Sequence, residues 1–366
     1  MRPALPKELL GGGARAALLE MRPFGPALGR LPRQSAPAPG ARCGSRSCSW
    51  YPSDVAKPTI LRADELAAFS RAALDRAVLR PELFVALPST RAVLLGAFQR
   101  PSELAEADAE CVHLPRIRRG SGGAAVCVGP GSLYVGLLLP FPGALLPANE
   151  DQILNRAVRP VLRALTRTGV PTHYFGRDFL SAKKHPVAIT SYAHDAGTRR
   201  TLVETFVALS ATVTPHERAS YDGKAPATLA ELRGGDVDIE RLVDQLAKEH
   251  ALGLSVPNLG EAGVGGRPAD AVGAETGDLL PWAARVDEAI GPLFSGRDAH
   301  GRVRLGGELV ASRDRVAWLE AKVDATTDEG LGALVDEAFG APGVAFFGVR
   351  RLASILEVLR AGRNAP

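Results

Sequence analysis

The sequence predicts an α/β (α+β) protein in which short strands and amphipathic helices alternate along most of the chain. Several segments repeat apolar residues at helical spacing, and others are short apolar runs bounded by glycine and proline, which is typical of strands. With 366 residues, of which 46% are hydrophobic and 23% charged, the composition is that of a globular protein. The length predicts two or three domains.

Composition argues against two classes of partner. The net charge is +4 and the pI near 9.0, but the basic residues are spread over the whole chain instead of forming one patch, so we expect no nucleic-acid partner. The longest apolar run, residues 133–146, is interrupted by glycine and proline and is too short to span a membrane. Without an apolar signal sequence at the N-terminus, the chain is expected in the cytoplasm.

Cysteine usage agrees with a reducing compartment. Cys43, Cys48, Cys111 and Cys127 are too few and too scattered for a disulfide framework, so free thiols are expected. Cys43 and Cys48 resemble half of a zinc site, but no second pair of ligands follows at a suitable distance, so no metal site is predicted.

The N-terminal third begins with a segment that predicts no order. Residues 1–57 are rich in proline, alanine, glycine and arginine without any periodicity, and we expect a disordered leader. A helix is then predicted with Asp64 as its N-cap, ended by Pro81. Residues 83–87 and 92–98 are predicted as strands.

The middle of the chain alternates strands and helices. Strands are expected at 125–128 and 133–139 around a glycine-proline turn, followed by a helix capped by Asn149 and stopped by Gly169, in which Pro160 predicts a kink or a new start. Further strands are predicted at residues 179–182, 187–193 and 201–214, with residues 183–186 as a polar turn.

Composition shifts divide the chain into parts. A helix is expected over residues 228–250, and a glycine-, alanine- and proline-rich linker follows at 257–281. Strand and helix patterns restart near residue 282 and continue to the end. The predicted organisation is therefore a leader at 1–57, a main domain at 58–256, the linker, and a small α+β domain at 282–366.

The strongest chemical signal is Arg118-Arg119-Gly-Ser-Gly-Gly-Ala124. Adjacent glycines let backbone N–H groups point toward one place and bind an anion, and two arginines favour phosphate or carboxylate. The lysine ending of a phosphate-binding P-loop is missing, and the spacing differs from a dinucleotide-binding fingerprint. The alternative is a tight turn with a solvated pair of arginines.

An ordered series of motifs resembles the lipoate–protein ligase family of the biotin/lipoate ligase superfamily. The segment 93–99, ending in Gly96-Ala-Phe-Gln99, precedes the arginine-glycine motif, and Gly129-Pro-Gly-Ser132 and Gly176-Arg-Asp178 follow it in the family's order. Leu305-Gly-Gly-Glu-Leu-Val310 resembles a strand of the family's accessory domain. The resemblance covers residues 58–250 and 282–362, and its most specific part is the arginine-glycine motif.

The resemblance implies a mixed-sheet catalytic domain followed by a small α+β accessory domain. It also implies ATP- and Mg²⁺-dependent activation of lipoate as an acyl-adenylate, and transfer to a lysine of a lipoyl carrier domain, either from a 2-oxoacid dehydrogenase complex or the glycine cleavage H protein. The implied acyl-adenylate-binding residues are Arg118, Arg119, Ser121, Gly122, Gly123 and Ala124. Arg177 and Asp178 are implied near the nucleotide, although Asp178 could equally be a turn or cap residue.

The sequence departs from the family pattern at its catalytic lysine. On this alignment that lysine is Ala188, which has neither charge nor hydrogen-bond donor for the carboxylate and phosphate oxygens. Lys183 and Lys184 lie just upstream and are the weak candidates for a replacement cation. The loop also ends in Ala124 instead of a third glycine, Val128 stands where histidine is frequent, and the Gly-Asn turn has Ser132.

Three activities therefore remain open. The first is an active ligase of the lipoate type, and the second is a non-catalytic relative that binds an acyl group or a carrier domain. The third is an octanoyl or lipoyl transferase, which is disfavoured because no cysteine follows Cys127 to act as nucleophile. His194-Asp195 is interpreted as a surface turn, and Ser191 and Tyr192 as acyl-pocket or ordinary strand residues.

Overall fold

A computed structural model describes residues 57–104, 111, 113–141, 153–195, 197–215, 221, 223–256, 259–261, 282–288, 291–340, 346–347 and 352–364, all within one compact unit, Pro52–Pro366. In chain order its strands are β1 (Thr59–Leu61), β2 (Glu82–Pro88), β3 (Ala92–Leu95), β4 (Arg116–Arg118), β5 (Val126–Val128), β6 (Ser132–Leu139), β7 (Thr172–Tyr174), β8 (Phe179–Ala182), β9 (His185–His194), β10 (Thr201–Ala208), β11 (Gly260–Glu261), β12 (Ala284–Asp287), β13 (Pro292–Arg297), β14 (Val303–Gly307), β15 (Val310–Ala311) and β16 (Phe346–Phe347). Its α-helices are α1 (Ala63–Ala72), α2 (Ile153–Arg167), α3 (Leu229–Arg233), α4 (Ile239–Leu254), α5 (Arg313–Val323), α6 (Leu331–Phe339) and α7 (Leu352–Arg363).

A mixed sheet of eight strands forms the centre of the fold. Its order is β1-β2-β6-β10-β9-β8-β7, and β11 also pairs with β2. Strands β1 and β11 run parallel to β2, whereas the remaining neighbours are antiparallel. The predicted α/β fold with a mixed sheet is therefore confirmed.

Each face of this sheet is covered by helices. On one face α2 and α4 bury a large aliphatic core, and Glu249 of α4 joins them through ion pairs to Arg163 Nε at 2.5 Å and Arg167 Nη1 at 2.8 Å. On the other face α1 packs against an aromatic cluster that includes Phe69 and Phe206. The central strands are consequently buried on both sides, which explains their continuous apolar sequence.

A second sheet, of three strands, carries the arginine-glycine motif. Its order is β4-β3-β5, with β3 parallel to β4 and antiparallel to β5. Residues 119–124 connect β4 to β5, and we call them the glycine-rich loop. Since β4 and β5 lie on opposite sides of β3, the loop has to cross the end of β3, where Gly96 stands.

The C-terminal part has its own apolar core. Strands β12, β13 and β14 form an antiparallel sheet against α7, and α5 and α6 pack beside it. Strand β15 pairs with β16 and also contacts β9 of the main sheet. Within the segment expected as a linker, Gly260–Glu261 adds a short strand to the main sheet.

Most predicted strands are confirmed, and the differences have local causes. The strand expected over 201–214 ends at Ala208, because the next three N–H groups all donate to the carbonyl of Gly131. The segment 305–310, which the resemblance implies to be one strand, divides at Gly307, where φ is 105°. The helix expected over 228–250 is two helices, because Gly234 adopts φ 79° and Asp238 caps α4.

The structure differs from the predictions for helices α1 and α2. Arg62, not Asp64, occupies the N-cap of α1, and Glu65 accepts a hydrogen bond from the Arg62 N–H at 2.8 Å. Helix α2 continues through Pro160 without interruption. The leader, apart from Lys57, and the proposed cap Asn149 lie outside the described residues.

The sequence predicts free thiols, and the structure brings the sulfur atoms of Cys111 and Cys127 next to each other. Both side chains are buried in a small apolar cluster beside β3, which brings together residues far apart in sequence. Cys43 and Cys48 lie outside the described residues. Among the helices that the structure describes, none is long and apolar enough to cross a membrane.

Candidate functional site

The glycine-rich loop is a buried part of the protein, with every one of its residues shielded from solvent. Close packing requires glycine at two positions near it. A Cβ atom at Gly96 would lie 2.1 Å from the carbonyl oxygen of Gly123, and one at Gly120 would lie 2.2 Å from the carbonyl oxygen of Ser70. The alternative of a solvated turn is therefore wrong.

Arg119 holds the loop together from inside. Its Nε donates to Ser121 Oγ at 2.8 Å, Nη1 to the Leu94 carbonyl at 2.9 Å, and Nη2 to the carbonyls of Gly122 and Ala124 at 2.6 and 2.7 Å. These contacts use four of the five N–H donors of a guanidinium group. Arg119 therefore fixes the backbone direction of the loop and presents little of its charge outside it.

The same contacts set the direction of the loop N–H groups. In a trans peptide the N–H points opposite to the preceding carbonyl. Because the Gly122 carbonyl faces Arg119, the Gly123 N–H points away from it and donates to the Leu309 carbonyl at 2.8 Å. The Gly122 N–H donates to the Tyr192 carbonyl at 3.4 Å. An oxygen acceptor thus already occupies the outer side of the loop.

Residues of the C-terminal part cover the outer side of the loop. A Cβ atom at Gly122 would lie 2.2 Å from the Leu309 carbonyl oxygen, and one at Gly123 would lie 3.2 Å from Val310 Cγ2. The Gly307 N–H also donates to the Phe98 carbonyl at 3.0 Å, just beyond β3. Residues 307–310 therefore close the loop against the main sheet.

Substituting Gly122 by alanine should separate these two parts. The new methyl group would overlap a backbone carbonyl, which cannot move independently, so we expect the free energy of unfolding to fall by about 1–3 kcal/mol. Urea denaturation measures this loss, and hydrogen exchange should show faster exchange at Gly123. Gly235→Ala is the matched control, because nothing lies within 4 Å of a Cβ there. Equal losses in the two variants would contradict the close contact with Leu309.

Strands β9 and β10 of the main sheet form the floor of the loop. Ser191 Oγ of β9 is 2.8 Å from Ser121 Oγ, and Glu204 of β10 pairs directly with Ser191. Glu204 is fully buried, accepts a hydrogen bond from the Tyr134 hydroxyl at 2.7 Å, and places Oε2 3.9 Å from Arg119 Nε. The loop is thus linked to three buried polar side chains beneath it.

Burial and charge act on this group together. Burial lowers the pKa of Arg119 to about 10, and the negative charges of Glu204, Asp178 and Glu308 oppose that shift. Burial, followed by the nearby Glu204, raises the pKa of Tyr134 well above its usual range. The sequence motifs did not identify Glu204 or Tyr134 as part of the site. The feature of the sequence that could have identified Glu204 is its position as the single acidic residue in the largely apolar segment 201–214.

Arg118 differs from Arg119 in its surroundings. It is half-buried, and its Nη1 donates to the Gln99 carbonyl and, at 3.4 Å each, to the carbonyls of Gly96 and Ala97. The Ala97 N–H in turn donates to the Ser121 carbonyl at 2.7 Å. Arg118 therefore fixes the segment that follows β3, next to the loop.

The two residues expected near a nucleotide lie before β8. Asp178 is fully buried, and its backbone carbonyl accepts the N–H of Thr190 on β9 at 2.7 Å. Its charge also acts on Arg119 and raises the pKa of Tyr174, after burial as the larger cause. Arg177 is half-buried. Asp178 is therefore electrostatically coupled to the loop.

The position of the family lysine is apolar and closed. Ala188 is 1% exposed and packs in the core between the sheet and helices α2 and α4, paired with Val207 and Leu180. Lys183 and Lys184 form the β8–β9 turn, and Lys183 Nζ donates to the Leu232 carbonyl at 2.6 Å.

Distance separates both lysines from the loop. Ser191, where β9 meets the loop, is seven positions after Lys184 along an extended strand, a distance of roughly 23 Å. This span is much longer than a lysine side chain. The placement therefore argues against either lysine as a replacement cation.

His194 and Asp195 do not form a catalytic pair in this structure. His194 is fully buried and its Nδ1 is 2.8 Å from Thr201 Oγ1, so the expected surface position is wrong for this residue. Asp195 accepts hydrogen bonds from the N–H and hydroxyl of Thr198, which lower its pKa. Each side chain is engaged in the β9–β10 connection.

A cleft of about 750 Å³ lies beside the loop, between the main sheet and the C-terminal part. Six arginines line it: Arg71, Arg100, Arg118, Arg302, Arg304 and Arg313. Asp298 binds Arg302 and Arg304, both at 3.0 Å, and Glu320 also binds Arg304, at 2.8 Å. Much of the positive charge in this cleft is consequently balanced within the protein.

The mixed sheet and the arginine-serine-glycine loop that it supports agree with the fold expected from the sequence motifs. The family described as the lipoyl protein ligase A/B catalytic domain matches residues 64–251, more than half of the chain. The chain belongs to this family. No curated protein matches the sequence.

Solved structures with related folds include three ligases. A bipartite lipoate protein ligase of Thermoplasma acidophilum, studied with its E2 lipoyl domain, is 14% identical, with 56% of this chain and 86% of that chain covered and a TM-score of 0.41. A lipoate-protein ligase A bound with ATP is 13% identical, at 57% and 89% coverage and TM-score 0.42. A biotin protein ligase from Aquifex aeolicus is 14% identical, at 55% and 71% coverage and TM-score 0.34.

Proposed function

We propose that this protein binds lipoate, or a related acyl group, at the glycine-rich loop and activates it with ATP as an acyl-adenylate. The acyl group is then transferred, in the cytoplasm, to a lysine of a lipoyl carrier domain from a 2-oxoacid dehydrogenase complex or the glycine cleavage H protein. The observation that carries this proposal is the orientation of the loop, in which Arg119 turns the Gly123 N–H outward.

The chemistry of adenylation requires such donors. Negative charge develops on the acyl carboxylate and the α-phosphate, and fixed N–H groups stabilise it without reorganising. The loop residues Ser121, Gly122, Gly123 and Ala124 are the proposed acyl-adenylate contacts, with Arg118 and Arg119 behind them. Because the Leu309 carbonyl now accepts from Gly123, ligand binding has to displace residues 307–310 from the loop.

The nucleotide is proposed to bind near Arg177 and Asp178. Asp178 supports this because its charge acts on Arg119 of the loop. Among the described residues, no three His, Cys, Asp or Glu side chains cluster as a metal site. Mg²⁺ that enters with ATP requires only one or two carboxylates besides phosphate oxygens, so the residues present are compatible with a nucleotide-borne ion.

One observation favours a second function. Ala188 lies in an apolar core and Lys183 contacts α3, so neither position provides a cation to bridge carboxylate and phosphate oxygens at the loop. A protein with this arrangement can retain acyl or acyl-adenylate binding without the adenylation step. The non-catalytic alternative is therefore an acyl-binding or carrier-binding relative.

Mass spectrometry separates these two functions. The protein is incubated with ATP, Mg²⁺ and lipoate, and the sample is examined for lipoyl-adenylate and, after addition of an apo lipoyl domain, for lipoylated carrier. Both products are expected of a ligase, and a sample without ATP is the control. Lipoate binding by calorimetry without either product would support the non-catalytic function. Neither binding nor product would reject both.

A further inference from the structure

Glu204 is a buried acid that the proposed chemistry does not use. It lies in the middle of β10, is fully shielded from solvent, and pairs with Ser191 on one side and Gly136 on the other. An ionisable side chain at the centre of an apolar sheet is costly unless charges or hydrogen bonds compensate it. Its surroundings therefore indicate what it contributes.

Tyr134 fixes one oxygen of this carboxylate. The Tyr134 hydroxyl donates to Oε1 at 2.7 Å, and Gly136 makes that contact possible, since a Cβ atom there would lie 2.8 Å from the hydroxyl oxygen. The phenol ring is held by edge-on or tilted contacts with Phe69, Phe84 and Phe206. Glu204 is thus a rigid group with one defined direction for its second oxygen.

The second oxygen faces the loop. Glu204 Oε2 lies 3.9 Å from Arg119 Nε and has no hydrogen-bond partner within the described residues. The guanidinium carbon of Arg119 also lies 5.4 Å from the centre of the Phe206 ring. The carboxylate and the ring therefore lie on the sheet side of the Arg119 guanidinium group, whereas the loop carbonyls accept its hydrogen bonds on the opposite side.

We propose that Glu204, held by Tyr134, is a positioning residue that acts through Arg119 to keep the loop N–H groups directed at the ligand. This inference rests on the proposed function of the loop as the acyl-adenylate site. Glu204 itself touches no ligand in this arrangement. Its role is to keep a buried guanidinium charged and in place, so that the carbonyls of Gly122 and Ala124 remain turned inward.

Removing Glu204 should weaken each of the contacts through which it acts on the loop. A buried cation without its partner is strongly destabilised and will shift toward water or lose its proton. Movement of the guanidinium removes the donors to Gly122 and Ala124, and loss of its proton leaves only weaker, uncharged donors, so in either event their peptide groups are held less firmly. The Gly123 N–H would then no longer be directed at one acceptor position.

The pH dependence of ligand binding provides a readout specific to this role. Arg119 is faced by Glu204, Tyr134, Asp178 and Glu308, and Glu204 opposes the effect of burial most strongly. Without the Glu204 charge, the pKa of Arg119 falls further below about 10, so the proton is lost at lower pH. Binding should accordingly fail at lower pH in the variant than in the natural protein.

The first test is Glu204→Gln, titrated with a non-hydrolysable lipoyl-adenylate analogue between neutral and alkaline pH. We expect the pH at which binding is half lost to fall by roughly 1–3 units. Glu204→Asp should recover part of the shift. The control is Glu249→Gln, which removes another buried carboxylate paired with arginines but lies between α2 and α4. Equal profiles in the two glutamine variants would overturn the proposal.

Tyr134→Phe keeps the test valid if Glu204→Gln does not fold. It removes only the hydroxyl that holds Glu204 and leaves the ring contacts in place. We expect roughly tenfold weaker binding of the analogue at neutral pH, equivalent to the loss of a hydrogen bond to a charged group. Unchanged affinity and an unchanged pH profile in Tyr134→Phe would overturn the proposal.

A measurement without ligand separates this inference from the proposed function. The carbon-13 signal of the Arg119 guanidinium is followed by NMR from neutral to alkaline pH in the natural protein and both variants. A downward shift of its titration, with faster amide exchange at Gly123, supports the positioning role even if the natural protein does not bind the analogue. Identical Arg119 titration and identical exchange in Glu204→Gln would reject it even if the analogue binds.

Discussion

Arg119→Met should lower the free energy of unfolding by about 3–5 kcal/mol, the loss typical of removing one partner of a buried ion pair. The substitution removes the donors to three backbone carbonyls and to Ser121, and it leaves Glu204 buried without its only nearby cation within the described structure. Methionine keeps the unbranched apolar stem of the side chain, so most of the loss should come from the missing guanidinium group. Urea denaturation of the purified protein measures it.

Arg118→Met is the matched control for this prediction. Arg118 also donates to backbone carbonyls, but its side chain is half-buried whereas that of Arg119 is fully buried, so a loss of about 1 kcal/mol is expected. The comparison holds chemistry and sequence context nearly constant and varies burial. If the two variants unfolded at the same urea concentration, Arg119 would not be the residue that stabilises the loop from inside.

Ala188→Lys is expected to lower the free energy of unfolding by a comparable amount, at least about 3 kcal/mol, and to form no more lipoyl-adenylate than the natural protein. The new side chain would enter an aliphatic core beside Leu180 and Val207, where an ammonium group has no partner and its charged form is disfavoured. Thermal and urea denaturation measure the stability, and mass spectrometry of the reaction with ATP and lipoate measures the activity.

Ala188→Met separates charge from size at this position. It adds a side chain of similar length without a charge, so overpacking of about 1–3 kcal/mol should be its main cost. The difference between the lysine and methionine variants is the contribution of the buried charge. A stable lysine variant that forms more lipoyl-adenylate than the natural protein would contradict the closed core around Ala188 and place the ligand on that face of β9.

The arginine-glycine motif shows which features of the site could be predicted from the sequence and which could not. Its residue types predicted an anion-binding loop before a strand at 125–128, and the structure does place residues 119–124 before β5. The sequence could not show that Arg119 donates inward to the loop, because that direction depends on Leu94 and on Glu204, eighty-five positions further along the chain. Local patterns specify local backbone, whereas long-range partners follow from strand order.

The cover over the loop was unpredictable for the same reason. Leu305-Gly-Gly-Glu-Leu-Val310 was read as one strand of a separate domain, yet Leu309 and Val310 pack against Gly122 and Gly123. Nothing in the spacing of apolar residues encodes which surface a short strand meets. The turn at Lys183 and Lys184, in contrast, was predictable, since two lysines before His-Pro rarely sit inside a strand.

The most direct test of the loop as ligand site is a crystal structure of the protein with a non-hydrolysable lipoyl-adenylate analogue. We expect a ligand oxygen within about 3 Å of the Gly123 nitrogen, in the position now held by the Leu309 carbonyl, with residues 307–310 displaced. A ligand bound in the arginine-lined cleft, with the Gly123–Leu309 hydrogen bond intact, would contradict it.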